Sequence, residues 1–276
     1  MSPTHRNKPK SRFAPTPSGL LHKGNGFNFL LTYLITKSRN GSIHLRVDDY
    51  DLSRSRIEFV QDIFDTLDYL GLDWDSGPVS CHDFQSNYTS KNRHFLYHDY
   101  LQKLTQTFVC ECSRKDLENY YNCYPGFCYD KLLQFKAKEN CIKIKGKDNI
   151  NDFVVWTREN CPSYQLASLV DDKELGINLI IRGYDLEEST ELQKFLASNL
   201  SYKEFESVEF IFHQLLKDKN GVKLSKSNHS QSMKFLRDNG MSKLEFYKEF
   251  CEFMKIDLNG KLTLENLVEK VYALSW

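Results

Sequence analysis

Two stretches far apart in this 276-residue chain carry residue types suited to handling a phosphate. The first, His22-Lys23-Gly24-Asn25, lies between the proline-punctuated run Arg12-Phe13-Ala14-Pro15-Thr16-Pro17-Ser18-Gly19 and an apolar helical face of Phe27, Leu30, Leu31 and Leu34. Pro15 and Pro17 fix their own φ and push Ala14 and Thr16 towards extended backbone, which stiffens the run. A histidine and glycines at the N-terminus of a helix suit an anion, since the first N–H groups and the helix dipole both point at it. An ordinary strand-to-helix turn holding the same residues is the plainer alternative. The second stretch, Val222-Lys223-Leu224-Ser225-Lys226-Ser227-Asn228, follows Asn220-Gly221 and sets two lysines on a short polar segment.

Three further groups of residues have chemical potential. Ile43–Val47 alternates like a strand and runs into Asp48-Asp49-Tyr50-Asp51. Acids just past a strand's C-terminal end sit where open α/β sheets bind ligands, although a solvated turn or a helix cap explains them equally simply. The run from residue 177 to 181, apolar except for Asn178, ends in Arg182 and Gly183, and a guanidinium there can fork a carboxylate bidentately. Cys110-Glu111-Cys112, with Cys123 and Cys128 about a dozen residues on, has the spacing of a small loop closed on tetrahedral zinc. Residue arithmetic offers Cys110, Cys112, Cys123 and Cys128 as the four ligands, and free thiols in a reducing cell are the alternative.

The elements that must position these groups alternate in type. Helical faces are legible at Val60, Ile63, Phe64 and Leu67, closed by Gly71 and Pro78, and at Tyr97, Tyr100, Leu101 and Leu104. Strands are expected at 108–110, 153–156, 177–181 and 208–213, with an exposed one at 141–145. Thr190 and Gln193 have capping-box spacing. Leu244, Phe246, Tyr247, Phe250 and Phe253 form a stripe in a helical C-terminal part. Alternating strands and helices predict an α/β, doubly wound parallel sheet. The 37 basic and 37 acidic side chains balance to a net charge of zero, which argues against indiscriminate nucleic-acid binding. No run of 18 apolar residues and no signal peptide is present, so no membrane role and a cytoplasmic location are expected.

The motifs resemble those of class I aminoacyl-tRNA synthetases. His22-Lys23-Gly24-Asn25 is similar to their HIGH signature, and Lys223-Leu224-Ser225-Lys226-Ser227 to their KMSKS loop. The leading Arg-Phe-Ala-Pro-Thr-Pro-Ser-Gly is similar to the bacterial glutamyl-tRNA synthetase group. The resemblance covers residues 12 to about 228, and it departs at Asn25, where the signature's last histidine would stand, and at Lys23, which would add a charge beside the nucleotide. It implies that His22, Gly24, Asn25, Lys223 and Lys226 hold ATP, with His22 and Lys226 as the catalytic pair. It implies a glutamate pocket of Arg12, Phe13, Ala14, Pro15, Thr16, Asp48, Tyr164 and Arg182. Asp48 would hold the α-ammonium, where family members have Glu or Asp, and Arg182 the side-chain carboxylate. The Cys-x-Cys-x11-Tyr-x3-Cys pattern of the family's short paralogues matches Cys110, Cys112, Tyr124 and Cys128, implying a structural Zn²⁺ with Tyr124 in place of Cys123.

By the same resemblance Mg²⁺ accompanies ATP, and the reaction is formation of glutamyl-adenylate. The implied acceptor is the queuosine base in the anticodon loop of tRNA(Asp), with the protein a monomer. Glutamate transfer to a carrier protein, a small amine or tRNA(Glu), or a non-catalytic tRNA-binding role, are the rival expectations. The motifs divide the sequence into a first half of the nucleotide-binding fold (1–107), a zinc-bearing acceptor-end-type insertion (108–152), a second half with the lysine loop (153–228) and a helical end (229–276). No anticodon-binding domain is expected.

Overall fold

The computed structural model describes residues 8–51, 53–120, 124–216, 232–257 and 259–272. In chain order its elements are β1 (Lys10–Phe13), α1 (Lys23–Ser38), β2 (Ser42–Leu45), α2 (Ile57–Leu70) and the single turn α3 (Cys81–Asp83). Then come α4 (His94–Lys103), β3 (Thr107–Cys110), the short α5 (Arg114–Leu117), β4 (Cys141–Ile144) and β5 (Phe153–Trp156). The remainder is α6 (Tyr164–Glu174), β6 (Leu179–Gly183), α7 (Glu187–Asn199), β7 (Glu209–His213), α8 (Met233–Asp238), α9 (Lys243–Met254) and α10 (Leu264–Tyr272). These pack as two compact units, one of residues 1–89, 176–187 and 208–276, the other of 90–175 and 188–207. This is a division by packing, whereas the four stretches drawn from the sequence are a division by motif.

The first unit is built on parallel strand pairs. β1 lies beside β2 with Arg12 opposite His44, and β6 beside β7 with Arg182 opposite Phe212. Asn178 ties the two pairs: its N–H donates to Lys10 O (3.0 Å), its side-chain oxygen accepts from Lys10 N–H (2.7 Å), and its carbonyl accepts from Glu209 N–H (3.0 Å). Every residue of β6 is buried, which explains the apolar Leu179–Ile181 stretch in the sequence. α1 is apolar over a wide arc, and Phe27, Phe29, Leu30, Leu31, Leu34 and Ile35 are all buried. Phe13 packs against Phe29, while Phe27 meets Phe246 and Phe250 edge-on, so α1 is covered from the strand side and by α9. α2 stops at Gly71, whose φ of 67° supplies the left-handed cap that a side chain would resist. In α9, Phe246, Tyr247 and Phe250 form the buried stripe, but Leu244 in the first turn is 47% exposed.

The second unit carries an antiparallel β3–β4–β5 sheet with helices α4, α6 and most of α7. Two expectations change here. β4 was expected as an exposed strand, yet it is central in its sheet, and Cys141, Lys143 and Ile144 are buried. Its lysine escapes the cost of burial by lying over the Tyr124 ring, 4.2 Å from the centroid. Thr190 and Gln193 do not open a helix, because α7 begins at Glu187 and both side chains are buried within it. Among the described residues no helix is long and apolar enough to cross a membrane.

Candidate functional site

The histidine turn is held by reciprocal hydrogen bonds. His22 is the N-cap of α1: its Nδ1 accepts from Asn25 N–H (3.3 Å), and its own N–H donates to Asn25 Oδ1 (3.0 Å). Asn25 therefore closes a capping box, satisfying donors that a helix start otherwise leaves unpaired. With Nδ1 accepting, the neutral ring carries its proton on Nε2. Gly24 is needed because a Cβ there would stand 3.0 Å from the His22 ring. The first turn of α1 contains no acidic side chain to repel an anion. Lys23 pairs with Glu249 of α9 and lies 5.6 Å from the Phe27 ring centroid.

The acid past β2 comes into place because parallel pairing outlasts the strands. Arg46 N–H donates to Phe13 O (2.8 Å) and Asp48 N–H to Pro15 O (2.9 Å), so the stiff run from Arg12 to Thr16 lies alongside 46–48. Arg12, Phe13 and Pro15 are buried, and Ala14 and Thr16 half-buried. Asp48 is 1% exposed and gripped by Arg46, whose Nε and Nη2 donate to Oδ1 (2.6 Å) and Oδ2 (3.1 Å), while Tyr50 OH donates to Oδ1 (3.1 Å). Arg182, 3% exposed, stands at the C-terminal end of β6 over the Phe210 ring, 5.5 Å from the centroid. Behind it Asn28 bridges α1 to both strand ends, donating to Ile181 O (3.4 Å) and contacting His213 Nε2 (2.9 Å). His213 Nδ1–H donates to Gln214 O (2.8 Å), and burial lowers the ring's pKa, keeping it neutral.

The cysteine knuckle is the third cluster. The sulfurs of Cys110, Cys112 and Cys128 lie within 4.8 Å of one another, and Cys112 and Cys128 are 3.7 Å apart. Ligands about 2.3 Å from a tetrahedral ion stand about 3.8 Å from each other, so these thiols fit the edge of a zinc tetrahedron. Tyr124 Oη is 3.9 Å from Cys112 Sγ and accepts the Cys128 N–H at 2.8 Å. The Cys141 thiol beside Cys110 holds the latter's pKa down at about 5, burial pushes Cys112 up to about 11, and burial also raises Tyr124. The cluster could hold a zinc ion as thiolates, with the phenol oxygen adjacent.

The first unit thus gathers His22, Gly24, Asn25, Asp48, Arg182 and the Arg12–Thr16 run. Tyr164, the first residue of α6 and half-buried, belongs to the second unit. Lys223, Lys226 and Cys123 lie outside the described residues. Sequence reasoning gave no role to Arg46, Tyr50, Asn28 or His213. The signal for Arg46 was its place two residues before Asp48, where an extended chain puts both side chains on one face.

Comparison with known proteins then decides the family. The family described as tRNA synthetases class I (E and Q), catalytic domain, matches residues 8–124 and 134–262. The chain belongs to this family. Among class I synthetase relatives, a glutamyl-Q tRNA(Asp) synthetase of Synechococcus sp. is 33% identical over 84% of this chain and 78% of its own length. A glutamate–tRNA ligase of Natranaerobius thermophilus is 32% identical over 85% of this chain but 55% of its own, so the chain spans about half of that protein. The crystal structure of a glutamate–tRNA synthetase from Elizabethkingia anophelis shares the class I fold, with a TM-score of 0.75 at 19% identity over 95% of this chain and 65% of that one.

Proposed function

We propose that this chain activates L-glutamate with ATP and transfers it to the queuosine base in the anticodon of tRNA(Asp). The observation that carries the acceptor is the knuckle: Cys110, Cys112 and Cys128 converge beside Tyr124 in the Cys-x-Cys-x11-Tyr-x3-Cys pattern of the short paralogues. The similarity to a glutamyl-Q tRNA(Asp) synthetase supports the same reading.

In the first step a glutamate α-carboxylate oxygen attacks the α-phosphorus of ATP, and the bond to pyrophosphate breaks. Such a transfer needs positioning and charge stabilisation rather than a nucleophilic side chain. His22 donates its Nε2 proton to a phosphate oxygen, and the positive end of the α1 dipole at Gly24–Asn25 faces the same charge. Lys223 and Lys226 stabilise the departing pyrophosphate, and Mg²⁺ bound with ATP would screen its charge. Arg182 forks the glutamate side-chain carboxylate, Asp48 takes the α-ammonium, and the Arg12–Thr16 run lines the pocket beside them. Arg46 and Tyr50 hold the Asp48 carboxylate in one orientation. Zn²⁺ held by Cys110, Cys112, Tyr124 and Cys128 is structural, since four filled positions leave none for a substrate. In this reading 108–152 is the insertion that carries the knuckle, and 1–107 with 153–228 form the doubly wound body.

The 32% identity to a glutamate–tRNA ligase favours a second reading, charging of tRNA(Glu) at its 3′ end. One experiment separates them: incubation with ATP, Mg²⁺, glutamate and each tRNA, followed by mass spectrometry of the anticodon nucleosides and of the 3′-terminal adenosine, with Lys226→Ala as control. Glutamyl-queuosine from tRNA(Asp), reduced on the order of 10²–10³ in the control, is expected. A glutamyl ester confined to the terminal adenosine of tRNA(Glu) would sink the first reading in favour of the second.

A further inference from the structure

The histidine turn is fastened by an ion pair between a buried carboxylate and a half-buried guanidinium. Asp62 of α2 is 3% exposed, and its Oδ2 accepts the N–H of Leu21, the residue before His22, at 2.9 Å. Its Oδ1 accepts from Arg237 Nη2 at 2.8 Å, and Arg237 Nη1 donates to Thr66 Oγ1 at 2.7 Å. Arg237 lies on α8, whose first residue, Met233, donates its N–H to Leu21 O at 2.7 Å. The next residues pair too, through an antiparallel bridge between His22 and Ser232. Leu21 is thus held on both sides of its backbone, by Asp62 at the N–H and by Met233 at the carbonyl. The chain reaches Ser232 six residues after Lys226.

We propose that Asp62 and Arg237 are positioning residues that keep the histidine turn in register with the chain emerging from the lysine segment. Neither group need touch ATP. Arg237 sets α8, Asp62 sets Leu21, and because they bond each other the histidine turn and α8 cannot shift independently. The attraction of a pair largely withdrawn from water is strengthened, and the guanidinium's separate bonds to Asp62 and Thr66 fix its direction. The proposal rests on the reading of His22 and Lys226 as the ATP-handling pair, but its geometry can be tested apart from that reading.

The test uses the full chain with Arg237→Met, Arg237→Lys and Asp62→Asn. Two quantities are measured: kcat and KM for glutamate in ATP–pyrophosphate exchange, and amide hydrogen exchange at Leu21 and Met233 by NMR. Breaking a buried pair can unfold a protein, so Arg237→Lys, which keeps the charge and one contact, is the decisive variant. Arg237→Met is expected to lower kcat about tenfold or more while KM for glutamate stays within about twofold, the pattern of a lost transition-state alignment. Arg237→Lys should recover part of it. Faster amide exchange is expected at Leu21 and Met233, with protection elsewhere in α1 retained. Unchanged kcat and unchanged protection at these two amides would overturn the proposal, as would uniform loss of protection with kcat and KM falling together. If the wild-type chain shows no exchange activity, the functional reading fails by itself, and the amide data alone confirm or refute the brace.

Discussion

At the histidine turn each group that shapes the site is held by another part of the same chain: His22 by Asn25, Asp48 by Arg46 and Tyr50, Leu21 by Asp62 and Met233. At the cysteine knuckle the converging atoms are three thiols and a phenol, whose mutual hydrogen bonds are weak and long, such as the 3.7 Å Cys112–Cys128 contact. The first cluster is preorganised by hydrogen bonds and ion pairs within the protein. The second gains its strongest bonds only when a metal draws the thiols together. One site is therefore expected to persist without any ligand, and the other to depend on one.

The largest expected effect bears on the knuckle. Purified protein should carry about one zinc ion per chain, and Cys112→Ser or a strong chelator should remove it, because structural zinc binding is coupled to local folding. Hydrogen exchange should then rise across 107–145, while Asp48 and the histidine turn keep their protection. Metal analysis and exchange mass spectrometry on the same samples check this. Equal loss of protection in both regions would abolish the contrast. Replacing Cys123 by Ser should leave the zinc in place, and Tyr124→Phe should weaken it.

A smaller effect sharpens the other side. Asn25→Ala removes the side-chain half of the capping box, and is expected to cost about 0.5–1.5 kcal/mol in urea unfolding with an unchanged m-value. The His22 backbone N–H loses its acceptor while the ring keeps the Asn25 N–H, so the turn loosens and glutamate-dependent pyrophosphate exchange should fall modestly. A variant with full activity and full stability would show that the turn does not need the box.

The smallest expected effect is a pH dependence at His213. Its folded pKa lies below the ordinary histidine value because burial disfavours the charged ring. The unfolded chain therefore binds the proton more readily, so this group's contribution is intact at neutral pH and is lost as pH falls through the unfolded value near 6.5. Thermal melts between pH 7.5 and 5.5 should show a slope that His213→Asn reduces. An identical slope in the variant would assign the pH dependence to other groups.

The sequence shows chemistry more readily than it shows support. Arg182 at a strand end, His22 at a helix start and the Cys-x-Cys spacing are legible because each depends on local geometry with a known period or spacing. Neither Asp62 nor Arg237 carries a local signal, since their meeting spans 175 residues of chain. The same limit explains β4: alternation of Cys141, Ile142, Lys143 and Ile144 was visible, but not that β3 and β5 would cover both of its edges. Asn25 was noted as a departure from the signature, and the structure gives it work of its own.

Asn178 has a consequence for how the chain is made. It joins β6 to β1 across 168 residues, so the first parallel pair cannot find its neighbour until that much more chain has left the ribosome. At elongation rates of about 5–20 residues per second this is a wait of roughly ten to thirty seconds. During it β1 presents an open edge beside α1, whose apolar surface lacks its later covers. Such an edge invites pairing with other nascent chains, so expression yield is expected to depend on chaperones and slow growth temperature more than the stability of the finished fold would indicate.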